Sequence, residues 1–168
     1  MQTQEAVIYA IVGGLGLYLI RFLWGLLAPS KAPRFDPNKH IVVDGSNVMY
    51  WGGTPSVLVL ARVLTALTDR DLIPIVYFDA NIGYKLWGKF ENANTVAVKM
   101  RINPRMVIVV PKGVAADEML LETAVDHGLR VVTNDRFLDW RVRFPQAAEK
   151  GFLIKGEWRQ GSVVFRGT

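Results

Sequence analysis

The chain has 168 residues, no cysteine and two histidines, and its 20 Lys+Arg against 15 Asp+Glu leave a net charge of +5. That length holds one globular domain of roughly 100–150 residues plus an appendage; without thiols there is no disulfide framework and no thiolate zinc site. His40 and His127, far apart in sequence, leave little room for an imidazole metal centre or a Ser-His-Asp triad, so any chemistry falls to carboxylates, hydroxyls, amides and bases.

Residues 6–28, Ala6 to Ala28, read as one transmembrane helix, with Arg21 as the single charge. At ~1.5 Å per residue such a helix reaches ~34 Å and covers a ~30 Å hydrocarbon core. Arg21 sits in its last third, where a long stem snorkels to the headgroups, and Tyr18 and Trp24 suit the interface. A cleaved signal peptide wants a basic start, whereas this chain begins Met1-Gln2-Thr3-Gln4-Glu5 and places Arg21, Lys31, Arg34 and Lys39 within or after the apolar run. The positive-inside rule then predicts a single-pass protein of the inner or plasma membrane with its C-terminal domain cytoplasmic. Ala6, Ala10 and Gly14 recur at four-residue spacing, a stripe that can let two membrane helices approach as a homodimer. Residues 29–39 carry three prolines and read as a linker, leaving 40–168 as the folded domain.

In that domain Ile41–Val43 reads as a buried strand. Ser56–Thr68 has helical spacing with Ser56 as N-cap. Leu72–Phe78 is a second strand whose Pro74 points to an edge or to its first residues. Ile82–Met100 reads as one or two short helices, Met106–Val110 as a third strand, and Ala115–Asp126 as a helix ended by Gly128. Arg130–Thr133 is a fourth strand. Phe137–Glu149 reads as a helix followed by a turn at Pro145. Phe152–Ile154 and Ser162–Arg166 flank a terminal hairpin. The alternation predicts an α/β fold with a mostly parallel sheet and helices on both faces.

Ligands in such open sheets bind beyond the carboxyl ends of the strands. Asp44 follows the first strand and Asp79 the second; Asp117 and Glu118 open the helix after the third; Asp135 follows the fourth, with Asp139 one helical turn on. Each has an ordinary explanation: a turn at Asp44-Gly45-Ser46-Asn47, a helix-dipole charge at Asp117, a helical ion pair of Asp139 with Arg136 or Arg143, a cap at Asp79. Together, at four successive strand ends, they point to a bound hard cation, because clustered carboxylates repel and raise one another's pKa. Oxygen ligands without histidine or cysteine suit Mg²⁺ or Mn²⁺.

Four stretches carry a family resemblance: Val42-Val43-Asp44-Gly45-Ser46-Asn47-Val48, Tyr77-Phe78-Asp79-Ala80-Asn81, Val110 to Glu118, and Val132-Thr133-Asn134-Asp135-Arg136-Phe137-Leu138-Asp139. Together they resemble the NYN branch of the PIN-like nuclease superfamily, near the regnase-type ribonucleases, over about His40 to Phe144. The resemblance implies a Rossmann-like three-layer sandwich and a metal-dependent RNA hydrolase. It implies metal ligands at Asp44, Asp117 or Glu118, Asp135 and Asp139, with Asn47 orienting a carboxylate or a phosphate. Ser46, Asp79 and Asn134 are placed to support the ligands from behind. The chain departs from regnase proteins in lacking their CCCH zinc finger, as its missing cysteines require.

The expected partner is single-stranded RNA. Lys112, Arg136, Arg141 and Arg143 are candidates for phosphates, with Lys99, Arg101 and Arg105 as a second cluster. Tyr84, Trp87, Trp51 and Trp140 are candidates for base stacking, Trp51 being expected in an exposed loop and Trp140 in the core. The competing function is a catalytically inactive, membrane-tethered RNA-binding or assembly module of the same fold. A haloacid-dehalogenase-like site is excluded by Asp44-Gly45-Ser46 where Asp-x-Asp is needed, and a dinucleotide fold by the missing glycine-rich loop after the first strand.

The anchor has a direct test. The full chain is expected to stay in the membrane pellet through a carbonate wash, and a chain beginning at Arg34 to be released; a full chain found in the supernatant rules the anchor out.

Overall fold

The computed structural model describes residues 35–166. The apolar run of residues 6–28, its stripe at Ala6, Ala10 and Gly14, and the linker before Phe35 lie outside the described residues. Among the described residues no helix is long and apolar enough to cross a membrane.

β1 (His40–Asp44) leads directly into a single helical turn, α1 (Gly45–Val48), and then α2 (Val57–Thr68). β2 (Ile73–Phe78) is followed by α3 (Ile82–Trp87) and α4 (Ala93–Met100), and β3 (Val107–Val109) by α5 (Ala116–His127). β4 is the pair Val131–Val132, and β5 (Leu153–Arg159) and β6 (Ser162–Arg166) close the domain. The strand order is β3-β2-β1-β4-β5-β6; the first five run parallel, and β6 is antiparallel to β5. The order turns outward in both directions from β1 and β4, so the sheet's switch point lies between these two strands.

The layers follow from side-chain alternation along the strands. Val43, Val76, Phe78, Val132 and Ile154 point to one face and pack with Leu60, Val63, Leu67, Ile82 and Val96 from the helices that cover it. Val42, Ile75, Tyr77 and Val131 point to the other, where Leu120, Leu121, Ala124, Phe137 and Phe144 receive them. With both faces covered, β1 carries an unbroken apolar run, Ile41-Val42-Val43, at 0% exposure.

Most predicted elements fall where the sequence puts them. Ser56 caps α2 by accepting from the Val59 N–H, and Gly128 ends α5 in the left-handed region at φ 68°. Ile82–Met100 resolves into two helices, parted at Gly88 with φ 71°. Pro74 is among the first residues of β2 and not on an edge: β2 pairs on both sides, but β3 joins it only from Val76 onward. The Ile73 N–H bonds Lys39 O on the β1 side, so alternation aims the missing Pro74 donor toward β3, below the point where that strand begins.

The helix expected over Phe137–Glu149 is absent. Two 3-10 turns, Leu138–Trp140 and Pro145–Ala148, stand in its place. Phe137 sits at φ 47°, outside helical space, and Pro145 forbids a continuous ladder through this stretch. β5 extends past Ile154 to Arg159, and Gln160-Gly161, at φ 45° and 82°, make its two-residue turn into β6.

Gly45 is required by packing at the end of β1. A Cβ there lies 2.5 Å from Phe78 Cε1 and 2.8 Å from Val76 Cγ1. Gly45→Ala is expected to lower stability by ~1–3 kcal/mol through overpacking, read as a lower urea midpoint at an unchanged m-value.

Candidate active site

Asp44 stands at the end of β1, 5% exposed. Its Oδ1 accepts from the Asn47 N–H at 3.0 Å and its Oδ2 from the Thr133 hydroxyl at 2.9 Å. The turn that these residue types favour therefore forms, with Asp44 capping α1. Thr133, fully buried, also accepts from the Asp135 N–H at 3.0 Å. One hydroxyl thus joins the ends of β1 and β4 across the switch point.

Asn47 ties three segments together. Its Oδ1 accepts from the Trp51 indole N–H at 3.0 Å and from the Asn134 N–H at 2.9 Å. The Asn134 amide in turn bonds Gly156 in both directions, donating to its carbonyl at 2.8 Å and accepting from its N–H at 3.1 Å. A Cβ on Gly156 would collide with the Trp51 ring. Ser46 Oγ accepts from the Asp79 N–H at 3.0 Å and so fastens the end of β2 to the same turn.

The acids do not share one environment. Burial is the main cause that pushes the Asp44 carboxyl up to about 7, with the charges of Asp117 and Asp79 adding to it and the Asn47 and Thr133 bonds opposing it. Burial also raises Asp117, at the head of α5, together with the charges of Asp135 and Asp79, while the Trp140 indole beside it acts the other way. Asp135 Oδ1 accepts from the Phe137 N–H at 2.7 Å, which fits the left-handed turn at Phe137. Asp139 joins Asn47, Asn134, Asp135 and Arg136 around an open depression of about 470 Å³. Glu118 turns aside and pairs with Arg143, and Asp79 pairs with Lys85 at 3.1 Å. Among the described residues no Lys or Arg forms an ion pair with Asp44, Asp117, Asp135 or Asp139. Among them, too, no three acidic or histidine side chains converge closely enough to hold an ion by themselves.

The basic and aromatic candidates divide sharply. Arg136 and Arg141 stand at the site with a residue that sequence reasoning passed over, Lys155 on β5. Its ammonium donates to the Asp135 carbonyl; burial lowers its pKa, Asp135 opposes that, and Arg136 and Arg141 reinforce it. Lys155 was hidden because β5 was expected to stop at Ile154; the only signal was a first charge interrupting an apolar run. Arg143 is committed to Glu118. Arg101 lines a cavity with Ile73 and Pro74, and Arg105 sits in the 3-10 turn before β3; both belong to the opposite end of the sheet from the acids. Lys99 pairs with Glu91 and lies 4.4 Å over the Trp87 ring, so the two occupy one another. Trp51 is not an exposed loop residue: it packs on the core and edges against Phe165. Trp140 packs on the second core, as expected. Tyr84 and Lys112 remain exposed on the acid side.

Residues 37–154 match the family described as the Zc3h12a-like ribonuclease NYN domain. Among solved structures, the nuclear proteinaceous RNase P 2 of Arabidopsis thaliana is similar with a TM-score of 0.59 and 19% identity, over 76% of this chain and 29% of that one. A second structure of that Arabidopsis enzyme, described as a nuclear protein-only RNase P 2, gives a TM-score of 0.60 and 15% identity, over 99% of this chain and 37% of that one. This chain thus spans about a third of those proteins, and at such identity the likeness is one of fold. A comparison with curated proteins found no match.

The raised Asp44 carboxyl makes stability fall with pH. Between the ordinary value of 3.8 and the folded value of about 7 the unfolded chain gives up this proton while the folded one keeps it. Folding then binds the extra proton, and stability is lost as pH rises through that window, by at most ~4 kcal/mol. Urea unfolding of the metal-free protein at pH 4, 5.5 and 7.5 is expected to show this downward trend, and Asp44→Asn to flatten it.

Proposed function

Because this chain belongs to the Zc3h12a-like ribonuclease NYN domain family, we propose that it is a divalent-metal-dependent endoribonuclease hydrolysing phosphodiester bonds of single-stranded RNA. The observation that carries this reading is Asp44: a nearly buried acid at the switch point, within reach of the charges of Asp117 and Asp79, and held by two hydrogen bonds with no cationic side chain paired to it among the described residues.

The donor set suits Mg²⁺ or Mn²⁺. Mg²⁺ is commonly held by one or two carboxylates, with waters and substrate phosphate oxygens completing its shell. Side chains that do not form a three-acid cage by themselves are therefore compatible with it. In this reading one or two carboxylates drawn from Asp44, Asp117 and Asp135 would hold the cation directly, with waters and phosphate oxygens completing its shell and Asp139 facing the same depression. A cation there supplies a water of lowered pKa and polarises the scissile phosphate.

The chain's own residues do the rest. Thr133 and the Asn47 N–H keep the Asp44 oxygens aimed and, by bonding the carboxylate, favour its ionised form. Asn47 fixes the Asn134–Asp135 loop, and Ser46 fixes Asp79. Arg136, Arg141 and Lys155 concentrate positive charge beside Asp135 and take the anionic strand. Burial around Asp44 strengthens that carboxylate's own electrostatic interactions relative to water. Hydrolysis leaves 5′-phosphate and 3′-hydroxyl ends. The same reading has residues 6–28 hold the domain at the inner or plasma membrane, on its cytoplasmic side; its support is the apolar composition of that run and the basic residues that follow it.

Cleavage of a labelled single-stranded RNA is expected with Mg²⁺ or Mn²⁺ and to stop in EDTA. Asp44→Asn and Asp135→Asn are each expected to lower the rate at least about a hundredfold while circular dichroism reports an intact fold. Wild-type rates in either variant remove this site. RNA binding without cleavage in either metal favours the inactive tethered module instead.

A further inference from the structure

Two aromatic side chains beside the acids are left outside the core. Tyr84 on α3 and Phe90 just after it are 59% and 64% exposed. They border a cavity of about 580 Å³ whose walls also include Asn81, Val110, Pro111 and Lys112. Asn81 comes two residues after Asp79, and Val110 to Lys112 begin the loop that leads from β3 to Asp117. The cavity therefore lies on the acid edge of the sheet, about two interstrand spacings or ~10 Å from Asp44.

The platform that displays Phe90 is firmly built. A Cβ on Gly83 would lie 2.5 Å from Lys89 O and 2.6 Å from Glu91 N, so its absence lets the chain after Gly88 fold back flat against α3. Glu91, 7% exposed, is held there by Lys89 at 3.7 Å and by Lys99. Asn92 then caps α4 by accepting from the Thr95 N–H at 2.9 Å. Phe90, which has no polar atom to repay its exposure, stands between these fixed points.

We propose that this cavity receives one unpaired nucleobase of the RNA strand, one or two nucleotides from the bond that is cut; this rests on the endoribonuclease reading. The chemistry selects a flat heterocycle on an anionic backbone. Tyr84 and Phe90 offer π-faces for stacking, the sequence-tolerant way of holding single strands. Asn81 makes no capping bond and presents both an amide donor and an acceptor to a base edge. Lys112 is exposed on the rim, where the adjoining phosphate passes. The volume lies within the ~300–1,000 Å³ range of small-ligand sites, while an amphipathic helix needs a long groove.

An abasic scan tests this. The full-length protein is given end-labelled single-stranded RNAs in which one base at a time around the cut bond is removed. Loss of the base at one position is expected to lower kcat/KM about tenfold or more. Phe90→Ala and Tyr84→Ala are expected to slow cleavage of the intact RNA by a similar factor and to abolish the penalty at that position, whereas Phe90→Trp and Tyr84→Phe keep it. Cleavage whose scan is the same in the alanine variants overturns the pocket and leaves the nuclease standing. Binding in EDTA to short RNAs carrying 2-aminopurine at each position in turn reads stacking without cleavage. Quenching that disappears in Phe90→Ala keeps the pocket even if the wild type cuts nothing in Mg²⁺ or Mn²⁺. Quenching at no position overturns it.

Discussion

The structure depends on keeping one carboxylate, Asp44, out of water at the point where the sheet changes direction. Burying an acid is costly, and two hydrogen-bond donors, a backbone N–H and a threonine hydroxyl, repay only part of that cost. The remainder appears as a carboxyl pushed up to about 7. The tight turn at Gly45, the short α1 and the full burial of Thr133 all serve to hold this acid where its charge is disfavoured. Stability is thereby given up at the switch point of the sheet.

The framework was legible because its signals are local. Apolar β-branched runs, a serine cap and a C-terminal glycine placed β1, α2 and α5 to within a residue or so. Misreadings arose where tertiary contacts decide. The stretch after Asp135 was read as a helix from its composition, but a side-chain bond from Asp135 and a left-handed Phe137 turn it into 3-10 pieces. β5 was cut short because a charge at Lys155 ended its apolar pattern, though the strand continues by pairing with β6.

The acid edge was legible for a topological reason: residues following parallel strands must emerge on one side of the sheet. Which of those residues are free to act was not legible, because pairing is a matter of side-chain direction. Glu118 and Asp79 carry the right charge at the right strand ends, yet each has a basic neighbour. Arg143, Lys99 and Trp87 looked available for RNA and are spent within the protein. Lys155 looked incidental and stands beside Asp135.

The paired hydrogen bonds between Asn134 and Gly156 also tie the acid edge to a strand that comes late in the chain. Every acid of the site precedes Gly156 in the chain. A nascent chain on the ribosome therefore carries the whole set of carboxylates before it carries the hairpin that orients the Asn134–Asp135 loop. In the order of synthesis the Asn134–Asp135 loop therefore lacks its Gly156 partners until β5 has been made, and the geometry of the site is completed last.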